Sequence, residues 1–325
     1  PPQLTLIPDM ADVRGQLHAR RALEVAAAGN HHILLIGTPG CGKTLLASRL
    51  PGLLPEASEA EALETAAIAS VSGRGLDPSR WRQRPYRSPH HTASAVALVG
   101  GGADPRPGEI SLSHNGVLFL DELPEWDRKA LEVLREPLES GTVTVSRAAR
   151  SSEFPARFQL VAAMNPCPCG WAGDPSGRCR CSPEHIRRYR ARISGPLMDR
   201  IDLHIEVPRL PPQDLRPDAP NGEATFLIRA RVEQARTVQL QRTGKANAQL
   251  GQAETMAFCR LQDRDQALLE RAIERLQLSA RSMHRILRVA RTIADLAGAE
   301  DIATPHLTEA LGYRRMDRGQ GQQAA

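Results

Sequence analysis

The stretch Gly37-Thr38-Pro39-Gly40-Cys41-Gly42-Lys43-Thr44 decides the fold class of this chain. It follows the apolar run 33–36 and precedes the run 45–50, which has helical propensity. A glycine-rich turn between a buried strand and a helix is the setting of a phosphate-binding loop, in which backbone N–H groups and the positive end of the helix bind an anion. We expect all eight residues to bind a nucleoside triphosphate, because a chance glycine-rich turn rarely has both flanks.

Two acidic residues at the end of another apolar run complete the expected phosphate site. In this kind of site Lys43 reaches the β- and γ-phosphates, and the Thr44 hydroxyl coordinates Mg²⁺. The run 116–120 predicts a buried strand that ends at Asp121 and Glu122. Beside a phosphate-binding loop, this pair predicts Mg²⁺ coordination by Asp121 and activation of the attacking water by Glu122 as general base.

A third apolar run, 158–164, predicts a strand that ends at Asn165. Ligands of open α/β sheets bind at the carboxyl ends of the strands, so Asn165 is expected to position the hydrolytic water. Upstream, Val13 and Gln16 lie in a short connector before the first helix and are candidates for contacts with the adenine base. The fold class that follows is α/β.

Two stretches interrupt this pattern and predict β-hairpin insertions. In 84–114, strand-like runs alternate with glycine and proline, and we expect His90 and His91 to make polar loop contacts rather than bind a metal. In 141–154, alternating residues predict a second hairpin with Arg147 and Arg150 at its tip. These two arginines either contact a phosphate backbone or belong to a solvated turn, and charge alone does not decide between the two.

Four of the six cysteines fall in one short loop, 167–181, as two close pairs: Cys167, Cys169, Cys179 and Cys181. Four thiolates are a ligand set for structural zinc, although the commoner zinc knuckle has two residues between its cysteines instead of one. Free reduced thiols are the alternative. Either assignment favours a reducing compartment, so we expect a cytoplasmic protein.

Proline density divides the chain. The segment 208–222 contains five prolines and predicts a linker between an α/β domain, 1–207, and a helical domain, 223–318. The clearest helix of the second domain runs from about Ser279, a plausible N-cap, to Ala297. The glutamine-rich tail 319–325 is expected to be disordered.

Composition excludes some classes of protein. The 325 residues are 41% hydrophobic and 24% charged, which is typical of a globular protein. Aromatic residues make up only 3%, which argues against an extended stacking surface for bases. The net charge of +5 weakly favours an anionic partner, and no apolar run is long enough to span a membrane.

The order of the motifs resembles that of the magnesium-chelatase-like AAA+ ATPases, and most closely the ComM (YifB) family. The resemblance covers nearly all of 1–320 and rests on five stretches: 37–44, Ser88-Pro89-His90-His91-Thr92, Leu120-Asp121-Glu122-Leu123, 162–170 (AAMNPCPCG) and Asp199-Arg200-Ile201-Asp202-Leu203. It implies a three-layer αβα P-loop domain followed by an all-α lid. The stretch 84–114 then resembles a helix-2 insert, and 141–154 a pre-sensor-1 hairpin, as in minichromosome-maintenance helicases.

The same resemblance implies roles for further residues. Asn165 matches sensor 1, Arg200 matches an arginine finger that acts on a neighbouring subunit, and Arg281 matches the sensor-2 arginine, expected to bind phosphate together with Lys43. Proteins of this family act as homohexameric helicases on single-stranded or branched DNA and promote branch migration during the integration of transforming DNA. They also have an additional N-terminal domain, so we expect this chain to be the ATPase core.

Two other functions fit the same residues. A chelatase-type motor that drives metal insertion into a tetrapyrrole would share every ATPase motif. A zinc-stabilised DNA-binding scaffold would use the nucleotide only as a structural ligand, but it would not need the general base Glu122.

Overall fold

The computed structural model describes residues 8–73, 75, 77–101, 105–147, 150–216, 218–276 and 278–314, without the side chains of 146, 147, 150 and 215. The expected disorder of 319–325 therefore lies outside the described residues, as do residues 148–149 of the second hairpin. The strands of the described part are β1 (Ile33–Ile36), β2 (Tyr86–Arg87), β3 (Gly100–Gly101), β4 (Arg106–Pro107), β5 (Val117–Leu120), β6 (Thr142–Arg147), β7 (Arg150–Pro155), β8 (Gln159–Met164) and β9 (Leu203–Glu206).

The helices of the same residues divide into two groups along the chain. Those of the α/β domain are α1 (Leu17–Gly29), α2 (Lys43–Leu53), α3 (Glu59–Val71), α4 (Ala95–Val99), α5 (Glu109–Leu112), α6 (Arg128–Glu132), α7 (Pro137–Ser140), α8 (Pro183–Arg190) and α9 (Gly195–Met198). Those of the lid are α10 (Thr225–Thr243), α11 (Gln252–Phe258), α12 (Asp263–Leu276), α13 (Ala280–Leu296) and α14 (Thr304–Gly312). None of these helices is both long enough and apolar enough to cross a bilayer.

Five parallel strands form the central sheet in the order β2-β5-β8-β1-β9. Apart from Gln159 at the start of β8, the central strands β5, β8 and β1 are apolar, because both faces of the sheet are covered. Ile33 and Leu35 of β1 point into one core with α1, α2 and the lid, whereas Leu34 and Ile36 point into a second core. The α/β fold class with three layers is therefore confirmed.

The first insertion differs from its prediction. Tyr86 pairs in parallel with Val117, so β2 belongs to the central sheet and not to a hairpin. The run Ala95–Val99 was expected to be strand-like and is helix α4, because Ser94 caps its N-terminus and accepts a hydrogen bond from Ala97 N at 3.2 Å. The hairpin is reduced to β3 and β4, which separate α4 from α5.

The second hairpin forms close to its predicted position. β6 and β7 pair antiparallel from Thr142↔Pro155 to Arg147↔Arg150. The backbones of the two arginines therefore lie at the far end of the hairpin, while their side chains are outside the described part of the structure.

The lid is helical, as predicted, but it does not form a separate core. Ser279 caps α13 by accepting a hydrogen bond from Ser282 N at 3.2 Å, as expected for this helix. Ile228 and Val232 of α10 belong to the same buried cluster as Leu46 and Leu50 of α2. The lid therefore packs directly on the α/β domain despite the proline-rich linker.

Candidate nucleotide-binding site

The P-loop connects the carboxyl end of β1 to the N-terminus of α2. Gly40 and Gly42 adopt positive φ angles of 76° and 97°, where a side chain is strained, and an added Cβ at either would meet nothing within 4 Å. The side chain of Lys43 is folded along the loop, and its Nζ donates to the carbonyls of Gly37 at 2.7 Å and Thr38 at 3.0 Å. The loop therefore has the backbone geometry of an anion site, with the lysine ammonium inside it.

The two residues predicted to bind Mg²⁺ are in contact. Thr44 lies in the first turn of α2, and its hydroxyl donates to Oδ2 of Asp121 at 2.9 Å. Asp121 follows β5, and its Oδ1 accepts a hydrogen bond from Glu122 N at 2.9 Å. A hydroxyl and a carboxylate oxygen beside a phosphate loop are the protein ligands that Mg²⁺ takes in such sites, so these residues fit the ion.

Glu122 is held in an unusual backbone conformation beside a histidine. Its φ of 50° is in the left-handed region, and its side chain is half exposed. Nδ1 of His91 lies 3.2 Å from Oε2 of Glu122. Strained residues of this kind cluster at functional sites, where the surrounding structure holds them. The pair brings a titratable imidazole into contact with the predicted general base.

Both histidines make the polar contacts that were expected of them. His90 Nδ1 lies 2.9 Å from Thr92 Oγ1, and the His90 and His91 rings are 4.1 Å apart. The contact of His91 with Glu122 was not predicted. It follows from the position of β2 beside β5, which brings the loop after β2 to the same edge of the sheet and which the hairpin prediction for 84–114 missed.

Asn165 follows β8 and lies beside the P-loop. Its Oδ1 accepts a hydrogen bond from Lys43 Nζ at 3.1 Å. The carboxyl ends of three adjacent strands, β5, β8 and β1, thus bring the acidic pair, the asparagine and the P-loop together. Asn165 is thus in direct contact with the lysine that is expected to bind the phosphates.

Val13 and Gln16 line a cavity of 280 Å³ on the other side of the P-loop. The Gln16 amide donates to the carbonyls of Pro208 at 2.7 Å and Cys41 at 3.3 Å. Arg209 and Leu210, just after β9, form the opposite wall. The cavity is continuous with the P-loop residues and has a partly apolar wall, so it suits a nucleotide base.

Arg200 lies at the opposite edge of the sheet. It precedes β9, is largely buried, and donates to Pro196 O at 2.7 Å while forming an ion pair with Glu139. The hydrogen bond from Arg200 lowers the pKa of the Glu139 carboxyl. Asp202, two residues later, accepts from His32 N, which precedes β1, at 3.1 Å. This group therefore occupies the amino edge of the sheet.

Arg281 lies at that same amino edge. It is exposed in the first turn of α13, which is anchored by a hydrogen bond from Arg285 to Asp202 Oδ1 at 2.7 Å. Arg281 lines a cleft of 740 Å³ that also includes His32 and Phe158, the residues just before β1 and β8. A four-residue strand is about 13 Å long. Lys43 lies at the carboxyl edge instead, so the strands of the sheet separate Arg281 from Lys43 within one chain, and the expected binding of phosphate by both residues stays a prediction.

Four thiols meet in the loop between β8 and α8. The Sγ atoms of Cys167, Cys169, Cys179 and Cys181 all lie within 4.8 Å of one another. Hydrogen bonds from the backbone N–H groups of Arg180 and Trp171 lower the pKa of the Cys169 thiol to about 6. The remaining cysteines, Cys41 and Cys259, are buried elsewhere.

Two family models match the chain. "Magnesium chelatase, subunit ChlI" matches residues 9–215, and "Magnesium chelatase, subunit ChlI C-terminal" matches residues 222–314. The boundary between them falls inside the predicted linker.

Two relatives match over nearly the whole chain, and a third matches over about half of it. Competence protein ComM of Haemophilus influenzae is 55% identical over 311 residues, which are 95% of this chain and 60% of that protein. YifB of Escherichia coli is 52% identical over 95% of this chain and 61% of its own length. An MCM-type protein of Methanocaldococcus jannaschii is 28% identical over 53% of this chain and 19% of its own length. The chain thus spans about three fifths of the length of ComM and YifB. On the family models and on these relatives, the chain belongs to the magnesium chelatase ChlI family of AAA+ proteins, with ComM and YifB as similar members.

Proposed function

We propose that this chain is the ATPase core of a ring-forming motor that moves along DNA and promotes branch migration of recombining strands. The observation that carries the proposal is the division of the predicted catalytic residues between two edges of one sheet. Lys43, Thr44 and Glu122 lie at the carboxyl edge, whereas Arg200 and Arg281 lie at the amino edge. A subunit with half a site at each edge is suited to a ring in which neighbours complete each other's sites.

Hydrolysis at the carboxyl edge uses the residues already in contact. Glu122 accepts a proton from a water molecule as the water oxygen attacks the γ-phosphorus, and the bond between that phosphorus and the β–γ bridging oxygen breaks. Asn165 orients the water, and Lys43 stabilises the charge on the phosphate oxygens. Mg²⁺ held by Thr44 and Asp121 neutralises the charge of the β- and γ-phosphates when it is bound.

The cleft at the amino edge has the charge that a neighbour's nucleotide requires. Five of its residues are basic, against the acidic Glu139 and Asp202: Arg157, Lys245, Arg281, Arg285 and Arg288. Cationic groups delivered by a second subunit stabilise the transferring phosphoryl group only when the ring is assembled. Arg281 is exposed in the first turn of its helix and acts directly on the neighbour's phosphates, and Arg200 follows once its pair with Glu139 opens.

DNA is the proposed track for two reasons. The hairpin β6–β7 extends from the α/β domain with Arg147 and Arg150 at its end, where a phosphate backbone can be contacted. The name of the Haemophilus influenzae relative connects that protein with competence, and a further relative is of the MCM type. We assign single-stranded or branched DNA as the substrate and a homohexamer as the working form, in the cytoplasm.

A measurement of ATP hydrolysis with and without branched or single-stranded DNA tests this function. The wild-type chain should hydrolyse ATP faster with DNA, and Glu122→Gln should abolish turnover while nucleotide binding remains. Faster ATP hydrolysis by the wild-type chain in the presence of DNA would exclude the rival function, the chelatase motor that the name of the family describes. A turnover that DNA does not change would contradict the DNA-motor proposal, and a turnover unchanged in Glu122→Gln would contradict the role of the general base.

A further inference from the structure

We propose that Cys167, Cys169, Cys179 and Cys181 bind one zinc ion, and that the loop held by this ion braces the P-loop so that zinc occupancy sets the affinity for nucleotide. The inference rests on the proposed nucleotide site at the P-loop, but not on hydrolysis, on DNA or on a ring.

The distances between the sulfur atoms match a tetrahedral zinc site. A zinc–sulfur bond of about 2.3 Å places two sulfurs of a tetrahedron about 3.8 Å apart. Cys167 Sγ lies 3.4 Å from Cys169 Sγ and 3.8 Å from Cys179 Sγ, and Cys169 Sγ lies 3.7 Å from Cys179 Sγ. The fourth sulfur, of Cys181, is within 4.8 Å of the other three. Four thiols at this spacing surround a volume that a single zinc ion fills.

The loop is built around these sulfurs in the manner of a metal knuckle. Ala172 N donates to Cys167 Sγ at 3.3 Å, and Gly170 N donates to Cys167 O at 2.9 Å. Peptide N–H groups that point at thiolate sulfur spread its negative charge and orient the ligand. Besides these sulfurs the loop from Trp171 to Cys181 has, among the described residues, only local turns and the contacts of Trp171, since its residues there are exposed or half-buried. The conformation of this segment therefore depends on the metal.

One residue of the loop packs on the P-loop. Gly170 is buried, with φ of 83°, and a Cβ built there would lie 2.6 Å from Cδ of Pro39. The same Cβ would lie 3.9 Å from Cγ of Asn165, whose amide oxygen accepts from Lys43. The backbone of the cysteine loop is thus in direct contact with the P-loop and close to the residue that positions the attacking water.

A second contact links the loop to the wall of the cavity beside the P-loop. The guanidinium carbons of Arg178 and Arg209 lie 4.8 Å and 5.4 Å from the centre of the Trp171 ring. Arg209 is also part of the lining of the 280 Å³ cavity. Cation–π contacts of this kind hold an arginine in one orientation. The loop therefore supports the nucleotide site on both sides of the P-loop.

Metal content is the first measurement. Protein purified under reducing conditions should contain one zinc per chain, and the double variant Cys169→Ser/Cys179→Ser should contain none. Cys259→Ala is the matched control, because Cys259 is a buried thiol of the lid outside the cluster, and it should retain the ion. A freshly reduced wild-type protein without zinc would overturn the proposal.

Nucleotide affinity is the second measurement, made with a fluorescent ATP analogue at equilibrium so that neither turnover nor DNA is involved. Gly170→Ala should keep its zinc but bind the analogue about tenfold more weakly, because its Cβ displaces Pro39. Gly177→Ala is the control, since Gly177 also has a positive φ, 67°, but a Cβ there meets nothing within 4 Å. It should bind within about twofold of the wild type.

Removal of zinc by a chelator should weaken binding of the analogue by at least as much as Gly170→Ala does, while helix content measured by circular dichroism is retained. If Gly170→Ala does not fold, Trp171→Ala replaces it, because it removes the contact with Arg209 without straining the backbone. Zinc-loaded and zinc-free proteins with equal affinity would overturn the coupling. Loss of binding in the zinc-free protein together with no hydrolysis in the wild type would support the brace and contradict the motor, so the two proposals fail separately.

Discussion

Nδ1 of His91 lies 3.2 Å from Oε2 of Glu122, the residue to which we assign removal of a proton from the attacking water. Glu122 holds a left-handed backbone conformation, and its side chain is half exposed, so the carboxylate is free to turn between the histidine and a water molecule. The contact with His91 therefore competes with a contact between this carboxylate and the attacking water.

Replacement of His91 tests this pair. His91→Ala should raise ATP turnover without DNA a fewfold, roughly three- to tenfold, and reduce the stimulation by DNA, because the carboxylate is no longer held. His185→Ala is the control, since His185 is exposed on α8. Steady-state hydrolysis with and without DNA measures both effects. A loss of turnover in His91→Ala would instead show that the histidine assists the base.

Acid should destabilise this fold through its buried histidines. Burial lowers the pKa of His204 to about 3, with Arg314 nearby as a second cause, whereas the unfolded chain has a histidine pKa of about 6.5. Because the pKa of His204 is lower in the folded chain than in the unfolded chain, its contribution to the free energy of unfolding is complete above pH 6.5. That contribution is lost as the pH falls from 6.5 towards 3. At pH 5.5 the loss from this one residue is about 1.4 kcal/mol.

His204→Gln should therefore show a smaller fall in unfolding free energy between pH 7.5 and pH 5.5 than the wild type does. Urea unfolding at the two pH values measures the difference. His185→Ala, which removes an exposed histidine, should follow the wild-type dependence. If the unfolding free energy of His204→Gln falls as much between the two pH values as that of the wild type, the assignment of a buried neutral imidazole is contradicted.

The hairpin gives a prediction about DNA. The double variant Arg147→Ala/Arg150→Ala should weaken binding to single-stranded DNA and flatten its dependence on salt by about 1.4 units of slope, because two phosphate contacts are lost. Arg229→Ala is a control of the same charge type on the exposed side of α10, where Arg229 pairs with Glu233. Titrations at several salt concentrations measure the slope, and an unchanged slope in the hairpin variant would refute the contact.

Local patterns predicted the α/β domain well, because each of its signals lies within a few residues. Three apolar runs predict β1, β5 and β8, and they end at the P-loop, at the acidic pair and at Asn165. In a parallel sheet the carboxyl ends of the strands lie at one edge, so these three ends come together. The helix at Ala95–Val99 was missed because its apolar run has no helical period, and only the cap at Ser94 distinguishes it from a strand.

The lid was harder to place than to recognise. The periodicity of the sequence predicts the helices of the lid. Their position depends on the packing of α10 and α13 against α1, and the residues in this packing are far apart in sequence. The sequence therefore predicted that Arg281 binds phosphate, but it did not predict where Arg281 lies relative to the sheet. The contact of Arg285 with Asp202 fixes the first turns of α13 at the amino edge of the sheet, and no local pattern contains that contact.

The division of the site between two subunits is the central claim, and mixing of inactive variants tests it most directly. Lys43→Ala disables the carboxyl-edge half of the site, and Arg281→Ala disables the amino-edge half, so each alone should lose nearly all ATP turnover. In a mixed ring, a Lys43→Ala subunit supplies Arg281 to the intact P-loop of an Arg281→Ala neighbour. Mixing Lys43→Ala with Glu122→Gln is the control, since both changes lie in the same half and no intact site can form.

The measurement is the ATP turnover of equimolar mixtures compared with that of each variant alone. The account predicts that Lys43→Ala mixed with Arg281→Ala recovers at least about tenfold more turnover than either variant, while the control mixture recovers none. No recovery in the first mixture, from two variants that each form rings, would contradict a site shared between neighbouring subunits.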